Sequence, residues 1–459
     1  MVCHSLIALA LGAVAAAIPT IEVKGSKFFT SDGDQFYVKG IAYQLVPDDP
    51  LIDATQCSAD ASLMQSIGTN SIRVYHVEAD GDHEDCMKAF ADAGIYVWLD
   101  LDTFDTYVEQ VTPKWTKPQS DAFEKVMDEF QQYDNLAGFF VGNEAITNAN
   151  GSVTAPYIKA AARDMKAYRT SKKYRNIPIG YSAADIATLR PMLQNYLACG
   201  DDTKESLDFF SLNAYSWCGS STFEQSGYNI LEKNSTDLHI PIFMSETGCN
   251  TVRPRDFMDQ TALFGEMADV WSGSIIYEWI EEANSYGLIK YGDKVDPASV
   301  GAPADGFPRS GKPIPMEPDF SNLSKVWKTL NPTGVKAADY TPTKKPVACP
   351  EYTSGFWEVD PKAALPTLGQ VHNFHAQQAT TTTADGASAT GSASKADSGS
   401  DSGSGSDSSS KSESGSGTET AGQASATTSA GAAPDALARE VKGAGVVVAV
   451  GALALMAWL

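Results

Sequence analysis

Eight short β-branched or aromatic runs alternate with helix-period stretches between residues 36 and 282, and the runs are continuously apolar, as in YVWLDL (96–101) and IPIGYSA (177–183). No Gly-rich phosphate turn follows the first run, which removes the main reason to expect a doubly wound open sheet. These observations predict an α/β fold, a (β/α)8 TIM barrel, followed by a disordered Ser/Gly/Thr-rich linker. Strands are expected at Phe36–Gln44, Asn70–Val77, Gly94–Leu101, Leu136–Glu144, Ile177–Ala183, Leu207–Trp217, Pro241–Gly248 and Gly273–Glu282, because each pairs β-formers with a polar loop at its end. Helical periodicity places helices between them at about 59–67, 84–92, 119–133, 155–170, 186–197 and 257–270, with Phe320–Leu330 after the last strand.

The chain has 459 residues, of which 43% are hydrophobic and 10% aromatic, enough for a large core. Its net charge of −23 leaves no positive field for phosphate backbones, so nucleic acid is excluded as a partner. Residues 5–17 form a short apolar run closed by Ala15, Ala16 and Ala17, so 1–17 is expected to be a secretory signal peptide. Val446–Leu459 is a second apolar run, too short to span a bilayer comfortably. A polar spacer and small residues precede it, the pattern of a GPI-attachment signal over 434–459, with Gly431 or Ser429 as the attachment residue. Residues 376–433 are almost entirely Ser, Gly, Thr, Ala and Asp, which cannot bury enough apolar area to offset chain entropy. A glycosylated stalk is expected there, after a catalytic domain over 18–350 and a short extension over 351–375. Sequons at Asn150, Asn234 and Asn322 are compatible with N-glycosylation.

Removal of Cys3 with the leader leaves Cys57, Cys86, Cys199, Cys218, Cys249 and Cys349. An even count in an exported chain implies three disulfides, with 15 pairings possible in principle. Spacing favours Cys57 with Cys86, Cys218 with Cys249, and Cys199 with Cys349. No CxxC is present, and His76, His83 and Cys86 make a poor ligand set, so no metal site and no cofactor are expected.

In a barrel of this type, reactive groups belong where strands end on the C-terminal face. The fourth strand ends Phe139-Phe140-Val141-Gly142-Asn143-Glu144, and the seventh ends Phe243-Met244-Ser245-Glu246-Thr247-Gly248. Two carboxylates facing each other across a cleft can cleave a glycosidic bond, one giving a proton to the leaving oxygen and one meeting the oxocarbenium charge. Glu144 is assigned as acid/base and Glu246 as nucleophile, with Asn143 placed to bond the sugar's 2-hydroxyl. Tyr75, Tyr215, Trp217, Tyr277 and Trp279 lie at or near strand ends, where aromatic faces can stack on sugars.

The stretches VKGIAYQ (38–44), IRVYHVE (72–78), GFFVGNEAITN (138–148), AARDMKAY (161–168), SLNAYSWCG (211–219), MSETGCNTVRPR (244–255) and WSGSIIYEWIEEANSYGLI (271–289) resemble the fungal β-1,3-glucanosyltransferases of glycoside hydrolase family 72. The resemblance covers about 21–349. It implies a retaining enzyme with Glu144 as acid/base and Glu246 as nucleophile, supports the disulfide pairing, and adds Gln44, Tyr75, Asp100, Asn143 and Tyr215 as glucan contacts. It implies internal cleavage of β-1,3-glucan and transfer of the new reducing end to the non-reducing end of a second chain. The expected partners are therefore donor and acceptor glucan chains and, through the GPI lipid, the outer leaflet of the plasma membrane, with the protein a monomer at the cell surface or in the wall. No cysteine follows Cys349, so the chain looks like the subfamily without a Cys-rich glucan-binding module. Members tend to have Tyr where this chain has Trp279, which keeps a stacking face and removes a hydroxyl. Two alternatives use the same sequence: a hydrolytic endo-β-1,3-glucanase, in which water attacks the glycosyl-enzyme, and an inert surface glycoprotein whose barrel does no chemistry.

Overall fold

The computed structural model describes residues 18–45, 49–200 and 202–372. The leader, the Ser/Gly/Thr stalk, Ser429, Gly431 and the terminal apolar run lie outside the described residues. Eight parallel strands close into a barrel: β1 (Val38–Ala42), β2 (Ser71–Val74), β3 (Tyr96–Asp100), β4 (Leu136–Asn143), β5 (Ile179–Ala184), β6 (Phe209–Asn213), β7 (Ile242–Thr247) and β8 (Trp271–Ile276), each hydrogen-bonded to its sequence neighbours and β8 to β1. All eight expected strands are present, each within its expected range except β5 and β8, which are displaced by one or two residues.

The helices are α1 (Ala54–Ser66), α2 (Glu84–Asp92), α3 (Lys117–Phe130), α4 (Ala155–Ser171), α5 (Arg190–Ala198), α6 (Tyr228–Ser235), α7 (Asp259–Leu263) and α8 (Asp319–Thr329). Their boundaries follow local chemistry more than apolar period. The α1 helix begins five residues earlier than its periodicity suggests because the Asp53 side chain accepts from Thr55 N and Gln56 N. At α3, Gln119 Oε1 accepts from Thr116 N at 2.9 Å, and Pro118 sits in the first turn. Pro191 likewise sets the start of α5. The expected 257–270 helix is cut to one turn, since Gly265 follows Phe264 and the chain continues in turns to β8. The α6 helix was not expected: it buries only Tyr228, Leu231 and Ser235, and its other residues are polar enough to read as loop.

Inside the barrel, side chains stack in layers. An N-terminal hairpin, Ile21–Lys24 with Lys27–Thr30, closes the base by inserting Phe28 between Trp98, Phe209 and Phe243, with ring centroids 5.2, 5.8 and 6.0 Å away. Glycine makes room for these rings. A Cβ on Gly180 would lie 2.4 Å from the Phe209 ring, and one on Gly138 would lie 2.8 Å from Trp98. Above the aromatic base comes a polar layer of Arg73, Ser182, Asn213 and Ser245, and above that the mouth.

Three disulfides join Cys57 to Cys86, Cys199 to Cys349 and Cys218 to Cys249, the pairing that spacing favours. The segment 351–372, expected to be a short extension, lies against the barrel: Trp357 is fully buried 5.6 Å from the Tyr196 ring, and Gln370–Val371 pairs with Lys114–Trp115. Among the described residues no helix is long and apolar enough to cross a membrane.

Candidate active site

Two strand irregularities aim the glutamates. The register of β4 against β5 shifts between Phe140 and Asn143, so the strand bulges before its end. Beyond the bulge, Glu144 has φ of +47°, a left-handed conformation that disfavours a side chain bearing Cβ. It is held there by Glu144 N donating to Ser182 O at 2.8 Å. A non-Gly residue fixed in this region costs on the order of 1–3 kcal/mol and is typical of reacting positions. In β7 the register shifts between Met244 and Thr247, and Ser245 and Glu246 both turn to the barrel interior, with Glu246 paired to Asn213.

Glu246 is 4% exposed and accepts three hydrogen bonds: from Tyr215 Oη at 2.7 Å, Tyr75 Oη at 3.0 Å and Arg73 Nη1 at 3.3 Å. Arg73 is fully buried and is the hub of the polar layer. Its Nε and Nη2 bond Asp100 at 3.1 and 2.8 Å, Nη2 donates to Asn143 Oδ1 at 3.0 Å, and Nη1 donates to Ser182 Oγ at 3.0 Å. The guanidinium lies between the Tyr75 and Phe140 rings, 4.3 and 4.5 Å from their centroids. Asn213 Nδ2 bridges Asn143 Oδ1 at 3.0 Å and Glu144 Oε1 at 2.9 Å. One chain of hydrogen bonds thus links Glu246, Arg73, Asn143, Asn213 and Glu144.

The two glutamates differ in environment. Burial, with the Glu246 charge adding to it, pushes Glu144 up to about 7, opposed chiefly by the single Asn213 donor. Glu246 is also raised by burial, but the Arg73 charge and the Tyr215 and Tyr75 hydroxyls pull it back. Hydrogen-bond donors and a cation favour the ionised form, and their unequal supply separates the pair. Near neutrality Glu144 can hold a proton while Glu246 is an anion.

The structure brings together Glu144, Glu246, Asn143, Tyr75, Tyr215 and Tyr277. The half-buried rings of Tyr75 and Tyr215 each lie 6.4 Å from Tyr277, edge to face, and Tyr286 backs Tyr277 at 5.4 Å. Two expected contacts are displaced below the surface of the cleft. Asp100 is 2% exposed and bonds Arg73 through both oxygens, so it orients the guanidinium. Gln44 is 4% exposed and its Oε1 accepts from Tyr75 N at 2.9 Å, fastening the end of β2.

Trp279, expected at the sugar site, is instead fully buried 6.4 Å from the Phe320 ring of α8, in the layer between barrel and helices, and is no sugar platform. Trp217 packs 5.2 Å from the Tyr228 ring of α6, away from the tyrosine trio. Arg73, Asn213, Ser182 and Ser245 were missed by sequence reasoning, although Arg73 shares the inward parity of Tyr75 in IRVYHVE and could have been found from it. Asn150 is exposed, whereas Asn234 is half-buried and Asn322 donates its amide to Arg255 O at 2.8 Å. Among the described residues no group of three or more His, Cys, Asp and Glu is arranged to hold a metal ion.

The model of the glucanosyltransferase family, glycoside hydrolase family 72, matches residues 10–299. The chain belongs to this family. Within family 72 it is 38% identical over 371 residues to the 1,3-beta-glucanosyltransferase gas2 of Schizosaccharomyces pombe, a match covering 77% of each chain. It is 40% identical over 356 residues to protein EPD1 of Candida maltosa, covering 75% of this chain and 61% of that relative, so more than a third of EPD1 lies outside the match. Its fold is similar to that of Saccharomyces cerevisiae Gas2p solved in complex with laminaritriose and laminaritetraose, with TM-score 0.68, 38% identity, and coverage of 76% of this chain and 77% of that one.

Proposed function

We propose that this family 72 chain is a retaining 1,3-beta-glucanosyltransferase that cleaves β-1,3-glucan internally and joins the new reducing end to the non-reducing end of another chain. The observation that carries the reading is the unequal environment of Glu144 and Glu246 within one hydrogen-bonded cluster. In the first step a Glu246 carboxylate oxygen attacks the anomeric carbon while Glu144 gives its proton to the departing glycosidic oxygen, leaving a glycosyl ester on Glu246. In the second, Glu144, now a carboxylate, takes the proton of an acceptor 3-hydroxyl, whose oxygen displaces Glu246. Two inversions restore the β configuration.

Tyr75 and Tyr215 hold Glu246 in line, and their hydrogen bonds stabilise it each time it leaves as a carboxylate. Asn143 has its carbonyl oxygen engaged by Arg73 and Asn213, which turns its amide nitrogen to the task of donating to the sugar's 2-hydroxyl. Tyr277, half-buried between Tyr75 and Tyr215, offers a ring to the sugar beside them.

Transfer differs from hydrolysis only in what attacks the ester, so an oriented acceptor must outcompete water. The apolar leader, the stalk and the GPI-type signal support a location at the cell surface on the outer face of the plasma membrane, and the exposure of Asn150 supports a glycan there. Incubation with one reduced β-1,3-gluco-oligosaccharide tests the activity. Products longer than the starting sugar are expected, and a mixture of shorter chains alone would make the protein a hydrolase.

A further inference from the structure

The Glu144 carboxyl accepts from Asn213 Nδ2 at 2.9 Å, and the groups around that amide fix which way it points. An amide has nearly the same shape either way round, so its neighbours decide its orientation. Arg73 has only donors to offer, and its Nη2 lies 3.0 Å from Asn143, which makes the Asn143 atom the carbonyl oxygen Oδ1. The Asn213 atom 3.0 Å from that same oxygen must then be a donor, Nδ2. At its other end, Asn213 Oδ1 accepts from Ser182 Oγ at 2.9 Å and from Ser245 Oγ at 2.8 Å, and both serines are fully buried. Arg73 Nη1 in turn donates to Ser182 Oγ, which closes the ring of contacts. A reversed Asn213 amide would press two carbonyl oxygens together in a buried layer where an unmade hydrogen bond is costly.

Backbone irregularity puts the amide there. The register of β6 against β7 shifts between Leu212 and Asn213, which sets Asn213 opposite Glu246. Asn213 is buried, and its polar atoms are engaged by Asn143, Glu144, Ser182 and Ser245. An N–H donates and cannot accept, so Glu144 Oε1 stays an acceptor whether or not the acid is protonated. The proton that Glu144 loses and regains then belongs on Oε2. The charged and titratable groups around Glu144 are Glu246 from β7, Arg73 from β2, Asp185 just past β5 and Tyr181 within β5. Burial first and Glu246 next raise the Glu144 carboxyl, and the Asn213 hydrogen bond is the largest influence pulling it back.

We propose that Asn213, braced by Ser182 and Ser245, is a positioning residue that holds Glu144 Oε1 as a permanent acceptor, so that Oε2 carries the proton given to the leaving oxygen and taken back from the acceptor hydroxyl. The proposal rests on the reading of Glu144 as the acid. In the first step the proton passes from Oε2 to the glycosidic oxygen as the bond from that oxygen to the anomeric carbon breaks; in the second, Oε2 takes the proton of the incoming hydroxyl. The test compares kcat/KM of the wild type, Asn213→Ala and Glu144→Ala on a reduced β-1,3-gluco-oligosaccharide and on a dinitrophenyl β-1,3-gluco-oligosaccharide, whose aglycone leaves without a proton. Asn213→Ala is expected to lose about 10- to 100-fold on the first donor and less than about 3-fold on the second. Its alkaline limb on the first donor should move up by about one pH unit, since the lost hydrogen bond favoured the ionised form. Equal losses on both donors, or an unmoved alkaline limb, would reduce Asn213 to a structural role and overturn the proposal. A Glu144→Ala variant that itself lost equally on both donors would refute the acid assignment, and the proposal with it. Hydrolysis in place of transfer alters neither comparison, because kcat/KM reports the first step. Neutron diffraction of the wild type at a pH well below 7 requires no variant to fold. It should show deuterium on Glu144 Oε2 and the Asn213 nitrogen facing Glu144 and Asn143; deuterium on Glu144 Oε1, or a reversed amide, would overturn the proposal.

Discussion

Glu144 and Glu246 are chemically the same residue, and their neighbours give them different work. Three donors surround Glu246 and one reaches Glu144, so the first stays ionised at a pH where the second keeps its proton. The sign of the pH dependence follows. In the proposed mechanism the first step needs Glu144 protonated, so kcat/KM should fall as pH rises through about 7, where burial pushes that carboxyl. It should also fall on the acid side as Glu246 is protonated, at a pH above the ordinary 4.5 of a glutamate. Glu144→Gln should remove the alkaline limb from whatever activity remains, measured as a pH profile of kcat/KM. Both glutamates could be singled out only as a pair, because one acidic residue closing a barrel strand is more often a solvated loop residue or a salt-bridge partner, whereas two at matching strand ends face the same mouth. Arg73 was not singled out because a cation inside an apolar strand is meaningful only once Asp100, Asn143 and Glu246 are seen around it. Trp279 misled because β8 ends at Ile276. Past that point inward and outward no longer alternate, and Trp279 N turns to bond Ala42 O at 2.9 Å while its ring falls behind the barrel.

At the scale of elements, the strands were found because residues buried on both faces must be apolar throughout, a signal that survives in a single sequence. Helix ends were set by Asp53, Thr116 with Gln119, and Pro191, which cap or open a helix regardless of its apolar period. The barrel's interior depends on complementary sizes across neighbouring strands. Gly180 on β5 yields its space to Phe209 on β6, and a Cβ there would meet three ring atoms at 2.4 to 2.6 Å. Gly180→Ala should therefore destabilise the fold by about 1–3 kcal/mol, the usual penalty for overpacking, seen as a lower urea midpoint without a change in slope. At the mouth, the Cys218–Cys249 disulfide ties the loop after β6 to the loop after β7, and these carry Tyr215 and border Glu246. That covalent tie restrains the positions from which the 2.7 Å hydrogen bond between them is made.

For the whole molecule, closure comes from segments distant in sequence. The N-terminal hairpin plugs the base with Phe28, and Cys349 returns to Cys199 across a separation of 150 residues. Beyond it, Trp357 covers Tyr196 on α5. In the chain-entropy view a loop of this size constrains the unfolded chain by about 4–5 kcal/mol. Replacing Cys199 and Cys349 together with Ala should lower the Tm and the urea midpoint by a corresponding amount, while the product pattern stays the same because the bond lies far from the mouth. The proposed glycosyl-enzyme is one covalent bond at that mouth. Incubation with a 2-deoxy-2-fluoro β-1,3-glucosyl donor, which slows release of the glycosyl-enzyme, followed by peptide mass spectrometry, places the sugar on a residue. The label is expected on Glu246 alone; a label on Glu144, or turnover with inversion at the anomeric carbon and no label, would contradict the account.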